Sequence, residues 1–307
     1  MNKRGFEFSF AWMFAIIVGV VIIFLAIFAA TRLIDTSQQI TGAEVGEEIG
    51  ILLNPIETDL EAGRYFSVTF PSETRLFNRC RTTGNFGQQI ISASVRSSIG
   101  EEFIEPQTDS IFYNKYLFSR SVEQGKRLHL FSMPFELPYR VSSLIFVTAD
   151  NYCFVQPTRD VEDNLLSLQA DNLNVSDSVQ GCNEGDITVC FGGQSCDIQV
   201  DINSKSVTKN GQTSFYEGNL LYGAIFADPG IYECQVKRLM KKTGELAYLY
   251  STKASILEGA SCNFGLKDDL IAYADQIQID DSSRLREVVI LSDEIDRRND
   301  ALACKLF

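Results

Sequence analysis

The chain is poor in the residues on which most catalysis and metal binding rest. It has one histidine, His129, and one tryptophan, Trp12, in 307 residues. A single imidazole excludes histidine-rich metal centres, and without any CxxC pair a structural zinc site is not expected. No GxSxG frames a serine nucleophile. Gly192-Gly193 follows a strand-like segment but lacks the GK[ST] of a phosphate-binding loop. Basic residues are outnumbered 27 to 40, for a net charge of −13. Such a surface repels polyanions at long range, so no nucleic-acid partner is expected. His129 lies in KRLHLF on the face opposite Leu128 and Leu130, as a surface or satisfied group. No catalytic residue, cofactor or metal is expected, and the chain reads as a non-enzyme.

What it has in quantity is one apolar run. Phe8 to Thr31 is 24 residues without a charge, preceded by Lys3 and Arg4. A helix of that length would cross the roughly 30 Å of bilayer hydrocarbon, with the N-terminus in the cytoplasm and the rest outside the cell membrane. The run is too long for the core of a cleaved signal peptide. The segment Lys3-Arg4-Gly5-Phe6 and the run behind it resemble the leader of type IV pilins and of archaeal surface proteins that share their export route. That resemblance implies processing between Gly5 and Phe6, although the family's glutamate at the fifth mature position would fall on Phe10. The remainder is similar in outline to single-pass archaeal membrane proteins with cysteine-bearing outer domains.

All eight cysteines follow the apolar run: Cys80, Cys153, Cys182, Cys190, Cys196, Cys234, Cys262 and Cys304. An even count on the expected outer side predicts disulfides. Helix order suggests Cys262–Cys304, with Cys234 joined to one of Cys182, Cys190 and Cys196. Cys80 and Cys153 are left as strand-borne partners. A hairpin bridge from Cys190 to Cys196 would also account for the Gly192-Gly193 loop. Asn174-Val175-Ser176 is a glycosylation sequon in a polar stretch, and Asn174 is its acceptor.

Period and punctuation divide the chain into a membrane anchor at 1–34, a juxtamembrane helical stalk at 35–63, a β-rich body at 64–227 and a helical region at 228–307. In the body, RYFSVTF, QQIISASV, YLFS, KRLHLF, SSLIFVTA and YCFV are short segments rich in β-branched and aromatic residues. Asp160–Ala170 is a short helix, and Asn210-Gly211 a hairpin turn. Tyr232, Val236, Leu239, Thr243, Leu246, Tyr250, Ala254 and Leu257 trace a helical stripe, and further helices fit 266–279 and 283–303. Asp228 to Cys234 resembles the tyrosine-corner signature of immunoglobulin domains. The helical period after Lys237 and the position of Trp12 speak against that fold. Lys237, Arg238, Lys241 and Lys242 read as the polar face of the first C-terminal helix.

The expected fold class is therefore α+β: a transmembrane helix, an antiparallel β-rich outer body and a C-terminal helical bundle. The expected function is a membrane-anchored surface protein with a structural, assembly or binding role in the cell envelope. Its partners would be membrane lipid and a second copy or another envelope protein. A pilin-like filament or secretion subunit is one alternative. An extracytoplasmic carboxylate-dependent hydrolase is the other, because a carboxylate pair distant in sequence leaves no local signature.

Overall fold

The computed structural model describes Trp12, 14–30, 65–96, 103, 106, 108–193, 195–258, 265–302 and 304–307. The expected stalk at 35–63 and the processing residues Gly5 and Phe6 lie outside these.

Residues 14–30 form α1, whose apolar side chains are exposed. Among the described residues no helix is long and apolar enough to cross a membrane. This overturns the expected anchor. With it go the membrane location, the cytoplasmic N-terminus, the lipid partner, and the single-pass and pilin-like resemblances built on that span. The expected envelope partner or second copy loses its basis too.

The body is a mixed α+β arrangement of two six-stranded sheets and several helices. In the first sheet, β1 (Tyr65–Arg81), β2 (Gln88–Val95), β3 (Ser110–Phe112), β4 (Tyr116–Phe118), β5 (Val122–Glu136) and β6 (Arg140–Thr148) take the order β3-β2-β1-β5-β6-β4. All its pairs are antiparallel except β4 with β6. Side-chain alternation places Tyr116, Phe118, Leu144 and Phe146 in the main core and Leu117 and Ile145 in a second one.

The second sheet departs from the antiparallel expectation. It holds β7 (Tyr152–Val155), β8 (Leu173–Ser176), β9 (Ile187–Cys190), β10 (Ile198–Asp201), β11 (Ser206–Lys209) and β12 (Gln212–Phe215) in the order β12-β11-β10-β9-β7-β8. The four strands β7 to β10 pair in parallel. The cause is α2 (Arg159–Leu168), which carries the chain back between β7 and β8 and buries Val161, Leu165 and Leu168. A parallel pair needs such a crossover. Asn210 and Gly211 both have positive φ, 51° and 72°, and close the β11–β12 hairpin.

Three helices follow α3 (Leu220–Phe226): α4 (Pro229–Glu258), α5 (Lys267–Gln276) and α6 (Leu285–Asp300). Phe226 of α3 meets Phe131, Phe146, Tyr152 and Phe154 at ring centroid distances of 4.7 to 6.4 Å. A side chain at Gly223 would come within 2.6 Å of the Phe118 ring, so glycine is what lets α3 lie on β4.

The basic segment of α4 is not a solvated face. Arg238 is fully buried and donates to the carbonyls of Lys115 at 2.8 Å, Tyr113 at 3.1 Å and Phe86 at 3.1 Å. Its guanidinium also lies 4.7 Å from the centre of the Tyr116 ring. Lys241 donates to the carbonyls of Thr82 and Gly84. Gln235, Gln89, Asn78 and Ser119 continue the line as a buried amide relay.

The disulfides agree with expectation at the Cys190–Cys196 hairpin and differ from it elsewhere. Cys80 of β1 bonds Cys234 of α4, Cys153 bonds Cys182, and Cys190 bonds Cys196. The expected Cys80–Cys153 pair and a link from Cys234 to Cys182, Cys190 or Cys196 are thereby excluded. The sequence reasoning placed Cys234 at the wrong end because α4 packs against β1, β4 and β6 of the first sheet as well as β12 of the second. Cys304 is disulfide-bonded, and Cys262 lies outside the described residues.

Candidate ligand-binding cleft

The β5–β6 hairpin, the chain entering α3 and the exposed side of α6 enclose a cavity of about 330 Å³. Each wall is fixed from behind. Tyr273 of α5 donates to the Leu137 carbonyl at 3.1 Å, and Tyr139 donates to the Thr243 carbonyl of α4 at 2.6 Å. Asn219, at the start of α3, donates to the Pro134 carbonyl at 2.9 Å. The third wall follows from the period of α6: Leu285, Val288, Ser292 and Ile295 are buried, so Asp293 and Asp296 are left on the open side.

The lining joins an apolar floor to an acidic rim. Phe135, Leu137, Leu220 and Leu285 supply the floor; Glu136, Glu217, Asp293 and Asp296 supply four carboxylates. Glu217 is paired with Lys205. Glu136, Asp293 and Asp296 form no ion pair among the described residues. Of these, Asp296 feels the charge of Lys305, while Glu136 and Asp293 have no cationic partner among the described residues. Nor are they gathered tightly enough for a metal: among the described residues no group of three or more His, Cys, Asp or Glu is placed to hold one. Carboxylates set around an apolar floor at wider spacing suit a cation with an organic body.

No protein family, curated protein or solved structure matches this chain. With no such relative and no metal-holding group, the carboxylate-dependent hydrolase that the acidic composition left open has no support.

The sole histidine lies elsewhere. His129 on β5 is buried, with Nδ1 2.6 Å from the Tyr65 hydroxyl. Tyr65 donates to Asp171, whose second oxygen accepts from Arg127 at 2.8 Å. Burial, and then the bond to Asp171, push the Tyr65 phenol up to about 12, so it keeps its proton at neutral pH. Burial also lowers His129, against the pull of Asp171. This constellation joins β1 and β5 to the turn before β8.

The other sequence-derived residues are dispersed. Asn174 sits in strand β8 rather than a loop, half-buried, with its amide donating to Asp186 at 3.4 Å. Cys153, Val155 and Cys190 form a small buried cluster with Cys182 and Cys196 packed on it. The carboxylate of Asp228 accepts from the Ser121 amide and hydroxyl, both at 2.7 Å. Sequence reasoning missed all four cleft carboxylates. One local signal was present: Asp293 and Asp296 are three apart on an otherwise amphipathic helix and so share a face. Glu136 and Glu217 join them only through tertiary packing.

Proposed function

We propose that this chain is a binding protein without catalysis, and that the cleft beside α6 receives an organic cation carrying an apolar segment. The observation that carries the reading is the combination of a walled apolar floor with three carboxylates, Glu136, Asp293 and Asp296, that form no ion pair among the described residues. A bound ammonium or guanidinium would supply the missing counter-charge through charge-assisted hydrogen bonds, while its hydrocarbon part covers Leu137 and Leu285. The absence of metal-grade carboxylate spacing favours an organic cation over a bare ion. Calorimetric titration with agmatine, a two-ended organic cation, tests it directly. Saturable binding is expected in the native chain, at least tenfold weaker in an Asp293→Asn/Asp296→Asn variant. Binding that ignores the double substitution, or no binding at low salt, would remove the proposal.

A further inference from the structure

A second cavity, of about 440 Å³, adjoins the first. The two share Glu217, Leu285 and Val289 in their linings. Their charges are opposite. The first cavity is lined by four carboxylates and no cation; the second carries Lys205 and Arg286, with Glu217 its one carboxylate, beside Ser204, Asn203 and the exposed Ile290. Arg286 forms no ion pair among the described residues. The boundary between them is the Lys205–Glu217 pair, with the Lys205 side chain 52% exposed. The Glu217 side chain is only 12% exposed, so it is the lysine end of the pair that solvent and a ligand can loosen.

From these features we infer that the two cavities are one binding site for a short peptide with a basic end and a free carboxy terminus, lying along α6. The inference rests on the cation-binding reading of the first cavity and extends it. The basic end enters among Asp293, Asp296 and Glu136. The carboxylate reaches Arg286 and Lys205, at the amino-terminal end of α6, where the helix dipole also favours an anion. The ligand's two charges thus replace the two halves of the boundary pair. Length supports a peptide over a single amino acid. Arg286 and Asp293 are seven residues apart on α6, about 10 Å along its axis. Three extended residues cover about that distance. Leu285 and Val289 lie between the charged groups and offer apolar surface to a middle side chain.

The test uses the full chain and two tripeptides, Arg-Leu-Gly with a free carboxylate and the same peptide as its carboxamide. The acid is expected to bind at least tenfold more tightly than the amide. That preference should vanish in Arg286→Gln and in Lys205→Met, while affinity for the amide is retained. Arg286→Lys should keep part of the preference. Arg286 is exposed, and an unchanged thermal midpoint in each variant shows the fold intact. If acid and amide bind equally and both depend on Asp293 and Asp296, the two-charge site is wrong and the cation cleft stands. If the acid is preferred but neither Arg286 nor Lys205 matters, the carboxylate is bound elsewhere and the inference is overturned. If neither peptide binds, and agmatine does not either, both readings fall together.

Discussion

Helices α4 and α6 are both amphipathic and both close the main core, yet they are fastened in opposite ways. α4 is fastened along its body. Arg238 grips three carbonyls of the first sheet's loops, Lys241 grips two more, and Cys234 is bonded to β1. α6 is fastened at its ends. Before it, Ser282 bonds both oxygens of Glu233; near its last turn, Asn299 bonds the backbone of Leu306 and Phe307. Between those points it is held mainly by an apolar stripe. Cavities lie on both flanks, including one of about 570 Å³ that α6 shares with α5. A helix bolted through its middle leaves no room for a ligand. One pinned at its ends leaves its sides free to bind.

The bolt at Cys80–Cys234 should break with the largest effect. It closes a separation of 154 residues, whereas Cys190–Cys196 closes one of 6. Chain entropy alone then separates the two by about 3 kcal/mol. Cys80→Ala/Cys234→Ala is expected to cost about 5 kcal/mol in denaturant unfolding, and Cys190→Ala/Cys196→Ala about 2 kcal/mol. Equal losses would show that strain or residual unfolded structure, not loop closure, governs these bridges.

Arg238 should come next. Arg238→Met keeps much of the side-chain volume but leaves the carbonyls of Phe86, Tyr113 and Lys115 without this donor inside the fold. A cost of about 3 kcal/mol is expected. Gly87 sharpens the point: its φ is +61°, and a Cβ there would approach Arg238 Cγ to 2.8 Å, so Gly87→Ala should weaken the same seam. On the other helix, Arg286→Gln should change stability by less than about 0.5 kcal/mol. A similar loss at both arginines would erase the distinction between the two seams.

The same contrast explains what could be read in the sequence. The apolar stripe of α4 follows the helical period, and Tyr232, Val236, Leu239 and Thr243 are all fully buried. Asn210-Gly211 announces its turn by a backbone requirement that few other residues meet. Arg238 carries no such mark. Its charge argues for solvent, and only the carbonyls brought up by distant loops overrule it. Cys234 was misplaced for the same reason. The parallel order of β7 to β10 depends on where α2 returns the chain, which local propensity does not state. The cleft was the least legible part, because Glu136, Glu217, Asp293 and Asp296 come from three separate segments of a chain with 40 acidic residues.

The clasp at His129 offers a third kind of fastening, sensitive to pH at both ends. His129 lies below its ordinary value of 6.5, first because burial disfavours the imidazolium. The unfolded chain therefore takes up the proton first as pH falls, and stability should drop once pH passes below about 6.5. Tyr65 is raised to about 12, so its contribution is complete below pH 10 and is lost as pH rises from about 10 to about 12. Urea midpoints of the native chain should decline on both sides. His129→Asn should flatten the acid limb and Tyr65→Phe the alkaline one. An acid limb unchanged in His129→Asn would assign it to other groups, such as the lowered Asp171, which matters below about 3.8.

The smallest effect should carry the opposite sign. Asp293 and Asp296 share a helix face, and neither forms an ion pair among the described residues, although Asp296 feels the charge of Lys305. Like charges at that spacing destabilise a helix by a few tenths of a kcal/mol. Asp293→Asn/Asp296→Asn should therefore raise stability slightly, by up to about 0.5 kcal/mol, and the gain should shrink as salt screens the repulsion. The corresponding change on α4 has the reverse outcome, since removing the Arg238 charge unfastens the seam. If the double substitution instead destabilises the chain at every salt concentration, the two carboxylates have structural partners and are not held open for a ligand. A small gain in stability joined to a tenfold loss of cation affinity would mark them as groups retained for binding at a cost to the fold.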